Sequence, residues 1–234
     1  MNSIEVVALL IVEMNAFFQI LVWVVMVGSC QGLLAAQLVL YSFDGAGGNE
    51  TGFSSSIHAD HAIVGDITRG NGLGVSSASN AFSARSWSTG DLDGNDYFGF
   101  SISPDVGFQL SLSAFEIDER RSGSGIREWT VRTSLDGFAS DLSGGPLSVP
   151  DNTDTRLDQR LVFGGVAYSG ITEELDFRIY GYDAESSAGT WRIDNVELFG
   201  QITAVPEPAS WLAGVGMGLL AIGMGLRKRW FVMV

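Results

Sequence analysis

Between residues 97 and 204 the hydrophobic positions recur with a period of two. Phe98, Phe100 and Ile102 alternate with Tyr97, Gly99, Ser101 and Ser103, and Phe108, Leu110 and Leu112 with Gln109, Ser111 and Ser113. Trp129 and Val131 alternate with Thr130 and Arg132, and Leu175, Phe177 and Ile179 with Asp176, Arg178 and Tyr180. Successive side chains on a strand point to opposite faces, so each run predicts a strand with one apolar and one polar face. No stretch of residues 37–204 keeps a helical period. Strands without helices to cover them must cover each other, which predicts an all-β, antiparallel sandwich. Phase breaks add detail. Trp191 and Ile193 share one parity and Val196 and Leu198 the other, placing a β-bulge near Asp194-Asn195. A similar switch at Ala114-Phe115 carries the apolar side chains to Phe115 and Ile117. Residues 44–95 are rich in Gly, Ser and Asn, with apolar groups at Ile63-Val64 and Leu73 to Val75. They predict short strands and long loops.

The two ends follow a different pattern. Residues 17–27 are almost unbroken apolar sequence, followed by small and polar residues up to Leu34-Ala35-Ala36. That is the form of a secretory signal peptide cleaved after Ala36, giving a signal at 1–36. An uncleaved membrane helix is the alternative, since apolar character begins at Val6, but the apolar core is short for a span. The first 15 residues hold Glu5 and Glu13 and no basic residue, and a start at Met14 in place of Met1 removes both acids. Val27-Gly28-Ser29-Cys30 also fits a lipobox, in which Cys30 would be lipidated. The bounds predict an ectodomain at 37–204 and a separate C-terminal segment at 205–234.

That segment is the most specific feature of the chain. Val205-Pro206-Glu207-Pro208-Ala209-Ser210 leads into the apolar residues 211–226, then Arg227-Lys228-Arg229. An apolar helix of this length spans ~24 Å, somewhat less than a ~30 Å hydrocarbon core, and Trp211 and the basic triplet suit its two interfaces. Pro206 and Pro208 keep helix from running back into the domain. A Pro-Glu-Pro motif, one membrane helix and a short basic tail resemble the PEP-CTERM sorting signal of Gram-negative bacteria that make exopolysaccharide. The match is residue for residue at Pro206, Glu207 and Pro208 and covers about 25 residues. Here the chain continues past the basic cluster with Trp230 to Val234, where family members usually stop. The resemblance implies export through the inner membrane, transient anchoring by the C-terminal helix and processing by exosortase, a membrane cysteine protease. The cell surface or extracellular matrix is then the destination, and extracellular polysaccharide a partner.

Composition narrows the chemistry. Thirteen basic against 27 acidic residues give a net charge of −14, which lacks the basic surface that nucleic-acid binding needs. A domain of ~170 residues buries roughly 70% of its unfolded surface and needs no staples, in keeping with Cys30 as the single cysteine. His58 and His61 are the only histidines and read as exposed loop residues, since Ser56 stands where a third metal ligand would be needed. Asp91, Asp93, Asn95 and Asp96 form an oxygen-rich run that is a candidate calcium site, with Asp194 as a further ligand. The alternative is a solvated Asx turn before the strand at 97. Glu116-Ile117-Asp118-Glu119 invites a glycosidase reading, but Arg120 and Arg121 occupy the positions where a second Glu would stand, so Glu116 and Asp118 read as surface ion pairs with these arginines. Trp129 and Trp191 sit in phase with apolar neighbours and are assigned to the core. Tyr180 and Tyr182 fall on the opposite parity from Phe177 and Ile179 and are the candidates for a glycan-binding face.

The succession Asn95 to Phe98, Asp118 to Gly123, Ser134-Leu135-Asp136-Gly137-Phe138 and Gly189 to Val196 looks like the ectodomains carried by PEP-CTERM proteins, and the Ser-x-Asp-Gly turn at Ser134 to Gly137 is similar to one in galactose-binding-like jelly rolls. That resemblance implies a jelly-roll-like fold and does not by itself imply sugar binding. The expected function is that of a non-enzymatic surface or matrix protein. The alternative is a polysaccharide-active enzyme, glycoside hydrolase-like, with the same sorting signal.

Overall fold

The computed structural model describes residues 35–206. The signal segment as far as Leu34, including Met14 and Cys30, lies outside the described residues. So do Glu207, Pro208, the apolar segment at 211–226 and Arg227, Lys228 and Arg229. Among the described residues no helix is long and apolar enough to cross a membrane.

Among the described residues fourteen strands and two single-turn 3-10 helices follow one another: β1 (Ala36–Tyr41), β2 (Gly52–Phe53), β3 (Ile57–His58), β4 (Ala62–Val64), β5 (Ile67–Arg69), β6 (Gly74–Val75), β7 (Phe82–Arg85), β8 (Tyr97–Pro104), β9 (Phe108–Arg121), β10 (Glu128–Thr133), β11 (Leu147–Ser148), β12 (Arg156–Val162), β13 (Leu175–Tyr182) and β14 (Thr190–Ala204). They form two seven-stranded sheets in which every pairing is antiparallel. The first sheet runs β12-β9-β14-β1-β3, with β7 paired to β14 and β6 to β7. The second runs β11-β10-β13-β8-β5-β2, with β4 paired to β8. The short strands β2 to β7 occupy the Gly- and Ser-rich stretch, as its composition predicts.

Alternation decides which side chains meet. Phe98, Phe100 and Ile102 of β8, Trp129 and Val131 of β10, and Leu175, Phe177 and Ile179 of β13 are buried on the inner face of the second sheet. They face Leu110, Leu112, Phe115 and Ile117 of β9 and Trp191, Ile193, Val196 and Leu198 of β14, all buried as well. Aromatic rings fill the seam between the sheets. Trp191 lies 5.3 Å edge-on from Trp87, 5.7 Å from Phe98 and 6.0 Å from Trp129, and Phe100 stacks on Phe177 at 4.9 Å. Such pairs add about 0.5–1.5 kcal/mol each beyond the area they bury.

Two bulges reconcile the broken phases with one continuous core. Between Asp194↔Asp118 and Glu197↔Glu116 the register shifts by one residue on β14, where Asn195 has a φ of 43°. The extra residue turns Val196 and Leu198 back to the inner face after Trp191 and Ile193. Between Phe199↔Ala114 and Gly200↔Leu112 the extra residue is on β9, at Ser113, beside the predicted switch.

Truncating a core aromatic on β13 removes contacts to both sheets, since Phe177 also packs 6.0 Å from Phe163. Phe177→Ala is expected to lower unfolding free energy in urea by on the order of 3–5 kcal/mol. Ile63→Ala, at a side chain 60% exposed on β4, should stay within about 0.5 kcal/mol of wild type.

Candidate functional site

The outer face of the second sheet carries the residues in which sequence parity placed a binding surface. Its register sets them in rows across the strands. Thr130, Tyr180 and Tyr97 form one row, Arg178, Gly99 and Thr68 the next, and Asp176 and Ser101 the third. Tyr180 is only 2% exposed, so the expectation that it presents an open sugar platform is corrected. It lies on β13, paired on both sides by strands bearing large neighbours. The Tyr97 ring meets it edge-on at 5.7 Å, the Arg132 guanidinium stands 5.8 Å from its ring, and Arg178 Nη1 donates to its hydroxyl at 3.3 Å. Arg132 is fixed in that place by Asp141 Oδ1 at 2.6 Å. Tyr182 is half-buried, and its hydroxyl titrates far above the ordinary tyrosine range because of burial and the Glu128 carboxylate beside it.

Beside this buried tyrosine the same face opens into a groove of about 290 Å³. Asp66, Thr68, Tyr97, Ser101, Asp176 and Arg178 supply most of its polar lining. The floor is low because two successive outward positions of β8 are Gly99 and Ser101. Glycine is required at the first, since a Cβ there would lie 2.9 Å from the Tyr97 ring. Arg178 stands 4.5 Å from the centre of the Tyr97 ring and 3.8 Å from that of Phe138. Phe138 reaches it because Ser134–Asp136 forms a 3-10 turn closed by Gly137 in the left-handed region, and the Asp136 carboxylate accepts the Ala139 and Ser140 N–H groups.

The calcium candidates do not assemble. Asp93 Oδ1 accepts from the backbone N–H of Asn95 at 2.8 Å and from its side-chain amide at 3.1 Å, which is the geometry of an Asx turn. Asp91 gives its backbone carbonyl to the Ser88 hydroxyl at 2.7 Å. Asp96 is 5% exposed and packs where a side chain at Gly72 would collide with it; burial raises its pKa, with Asp93 adding to the effect. Asp194 lies on the other sheet, on β14 opposite Asp118. Among the described residues no group of three or more His, Cys, Asp and Glu side chains is placed to hold a metal ion, and the run at 91–96 with Asp194 does not fit calcium. His58 and His61 are both exposed, the latter 3.1 Å from Asp105 and stacked on Phe108 at 3.7 Å.

The acidic run on β9 divides by parity. Glu116 and Asp118 face outward, Glu116 paired with Arg160 and Asp118 accepting from the Asp158 N–H and the Asn195 amide, both at 2.8 Å. Glu119 and Arg121 continue the inward phase of Ile117 and are buried, so Arg121 is not the surface partner of Glu116 and Asp118 that the sequence suggests. Glu119 Oε1 accepts from Trp129 Nε1 at 3.0 Å and Arg156 Nη1 at 2.7 Å, and Oε2 from Trp191 Nε1 at 2.6 Å. Burial pushes its pKa up, and Arg156 and the two indoles pull it back. Arg121 donates to the Gly123 carbonyl at 2.8 Å, the Gly125 carbonyl at 3.2 Å and Glu185 at 3.0 Å. The legible signal was the in-phase spacing Ile117-x-Glu119-x-Arg121.

Two measurements follow from these carboxylates. Glu119→Ala strands two buried indole N–H groups and the Arg156 guanidinium, and its expected cost in urea unfolding is on the order of 3–5 kcal/mol. Glu119→Gln, which keeps one acceptor, should cost less. Asp194 is half-buried, and burial, helped by Asp118 and Asp44, raises its pKa to about 6 from the ordinary 3.8. A carboxyl raised in the folded state favours folding while protonated, so its contribution is full below pH ~4 and is lost as pH rises through ~6. Asp194→Asn should therefore melt with wild type at low pH and above it at neutral pH.

Comparison with known proteins places the C-terminal segment. No match to a curated protein is found. Among solved structures, an arabinose-bound α-L-arabinofuranosidase aligns at 14% identity and a TM-score of 0.37, covering 74% of this chain and 27% of that enzyme, about a quarter of its length. The K3 cleaved adhesin domain of Lys-gingipain from Porphyromonas gingivalis aligns at 13% identity and TM-score 0.34, covering 71% of this chain and 99% of that domain. A family 11 carbohydrate-binding module of a cellulosomal cellulase of Clostridium thermocellum aligns at 17% identity and TM-score 0.32, covering 71% and 97%. Similarity at this level carries no functional argument. Residues 204–229 match the family described as the PEP-CTERM protein-sorting motif. With β14 ending at Ala204 and the match beginning at that residue, the chain carries a β-rich domain followed by a PEP-CTERM sorting motif, which is consistent with an exosortase substrate.

Proposed function

We propose that this protein is exported through the inner membrane of a Gram-negative bacterium and held there by its C-terminal segment. Exosortase then passes it to the cell surface or extracellular matrix, where the domain acts without catalysis in association with extracellular polysaccharide. The observation that carries this reading is the sorting motif at 204–229, directly after the last strand of the domain. The local structure supports it. The Val205 N–H donates to the Gly107 carbonyl at 2.8 Å, and Pro206, next in the chain, has no N–H to continue the pairing. The domain thus holds the backbone as far as Val205, directly before the Pro-Glu-Pro of the motif.

Two further features support the ectodomain part of the reading. The long strands alternate between sheets, with β8 in the second, β9 in the first, β10 back in the second, and β13 and β14 again divided. This wrapping supports a jelly-roll-like fold. Glu119 points away from Glu116 and Asp118, so the acidic run on β9 does not present three carboxylates to one substrate.

Replacing Pro206, Glu207 and Pro208 together by alanine should leave the full-length protein in the inner membrane fraction, uncleaved. A variant processed and exported like wild type would refute the sorting reading. Release of reducing ends from polysaccharide by the wild-type protein would refute its non-catalytic part.

A further inference from the structure

We propose that the groove on the outer face of the second sheet is a binding site for a segment of neutral polysaccharide. This rests on the reading that the domain associates with extracellular polysaccharide, and assigns that association to particular residues.

The groove follows β8. Its floor is Gly99 and Ser101, the two small outward residues of that strand. One wall is Asp176 and Arg178 of β13, their direct partners in the ladder. The other is Thr68, paired with Gly99, and Asp66, next to Gly65, whose N–H bonds the Ser101 carbonyl at 3.0 Å. Tyr97 closes one end. At about 290 Å³ the groove lies at the small end of ligand clefts, which run from ~300 to ~1,000 Å³. That size suits a short stretch of a longer chain.

Its chemistry is that of a polyol site. Sugar hydroxyls need both donors and acceptors at fixed positions, and sugar C–H faces need aromatic edges. Arg178 supplies a planar fork of donors already immobilised by the rings of Tyr97 and Phe138 and by the Tyr180 hydroxyl. Among the described residues it forms no ion pair, as is also true of Arg69, Arg85, Arg120 and Arg192, but it alone of these lines the groove. Asp176 is exposed, and its carboxylate takes no protein hydrogen bond among the described residues, while its backbone N–H bonds the Ser134 hydroxyl at 3.0 Å. Asp66 accepts one bond, from the Ser54 hydroxyl at 2.7 Å, which leaves acceptor capacity free. An unpaired guanidinium and an unpaired carboxylate separated by one residue on the same face form a donor and acceptor set held open for a third party. The ligand is neutral because two carboxylates flank the groove and the chain carries a net charge of −14, so an acidic polysaccharide meets repulsion.

The test is affinity electrophoresis of the detergent-solubilised full-length protein in native gels. The gels contain galactomannan, mixed-linkage β-glucan, xyloglucan or polygalacturonate. Retardation is expected in at least one neutral gel and not in polygalacturonate. Asp176→Asn, at an exposed side chain, should weaken that retardation by about tenfold or more with an unchanged melting temperature; Arg178→Gln should weaken it as far while the protein stays folded, and Arg120→Gln, on the first sheet, should leave it intact. Retardation equal to wild type in both groove variants would overturn this site while leaving polysaccharide association in place. Retardation in polygalacturonate as strong as in a neutral gel would overturn the assignment of ligand class. No retardation in any gel would overturn the groove and the association together.

Discussion

The Glu119 carboxylate, closed off between the sheets, sets the condition under which the rest of the core can pack. Moving a carboxylate out of water costs several kcal/mol unless hydrogen bonds replace its hydration. Here three donors do so, and each comes from a different strand: Trp129 on β10, Arg156 on β12 and Trp191 on β14. Trp129 belongs to one sheet and Trp191 to the other, so the carboxylate fixes the distance and the lateral offset between them. The indoles that bond Glu119 also form the aromatic seam with Trp87 and Phe98. A slip of one residue in β9 would replace Glu119 with Asp118 or Arg120 and strand both indole N–H groups. The polar contact thus enforces a register that hydrophobic burial alone would specify less sharply.

With the inner face so determined, the outer face of the second sheet inherits its geometry. Residues on the face opposite Phe98, Phe100 and Ile102 are Tyr97, Gly99 and Ser101, and the absence of a side chain at 99 with a small one at 101 leaves the trough along β8. The loop after β10 folds back over this face, bringing Phe138 against Arg178. Rigidity at Arg178 is therefore a consequence of ordinary packing, and it lowers the ordering cost of any ligand that uses the guanidinium.

Parity made much of this legible from residues alone. It located the principal strands, the two bulges, and Trp129 and Trp191 in the core. It misplaced Tyr180, because alternation tells which face a side chain points to and not whether neighbours cover it. On a central strand flanked by Tyr97, Arg132 and Arg178, an outward tyrosine is roofed by long side chains. It also misjudged Arg121 and left Glu119 unplaced, since charge was weighed more heavily than phase. The in-phase spacing with Ile117 marks both as inward, but the partners that make a buried charge tolerable lie far along the chain, at Trp191 for one and Glu185 for the other. The Asp91 run was read as oxygen-rich without knowledge that its oxygens serve Asn95 and Ser88 at home.

One feature of topology bears on how the domain carries load. β14 pairs with β9 along one edge, from Trp191↔Arg121 to Ala204↔Phe108, and with β7 and β1 along the other. The sorting segment continues from the end of this strand. Tension applied to that segment runs along the strand axis and is borne in shear by many hydrogen bonds together, where an edge strand would peel open bond by bond. Whatever grips the chain beyond Pro206 therefore holds the folded domain by its central beam.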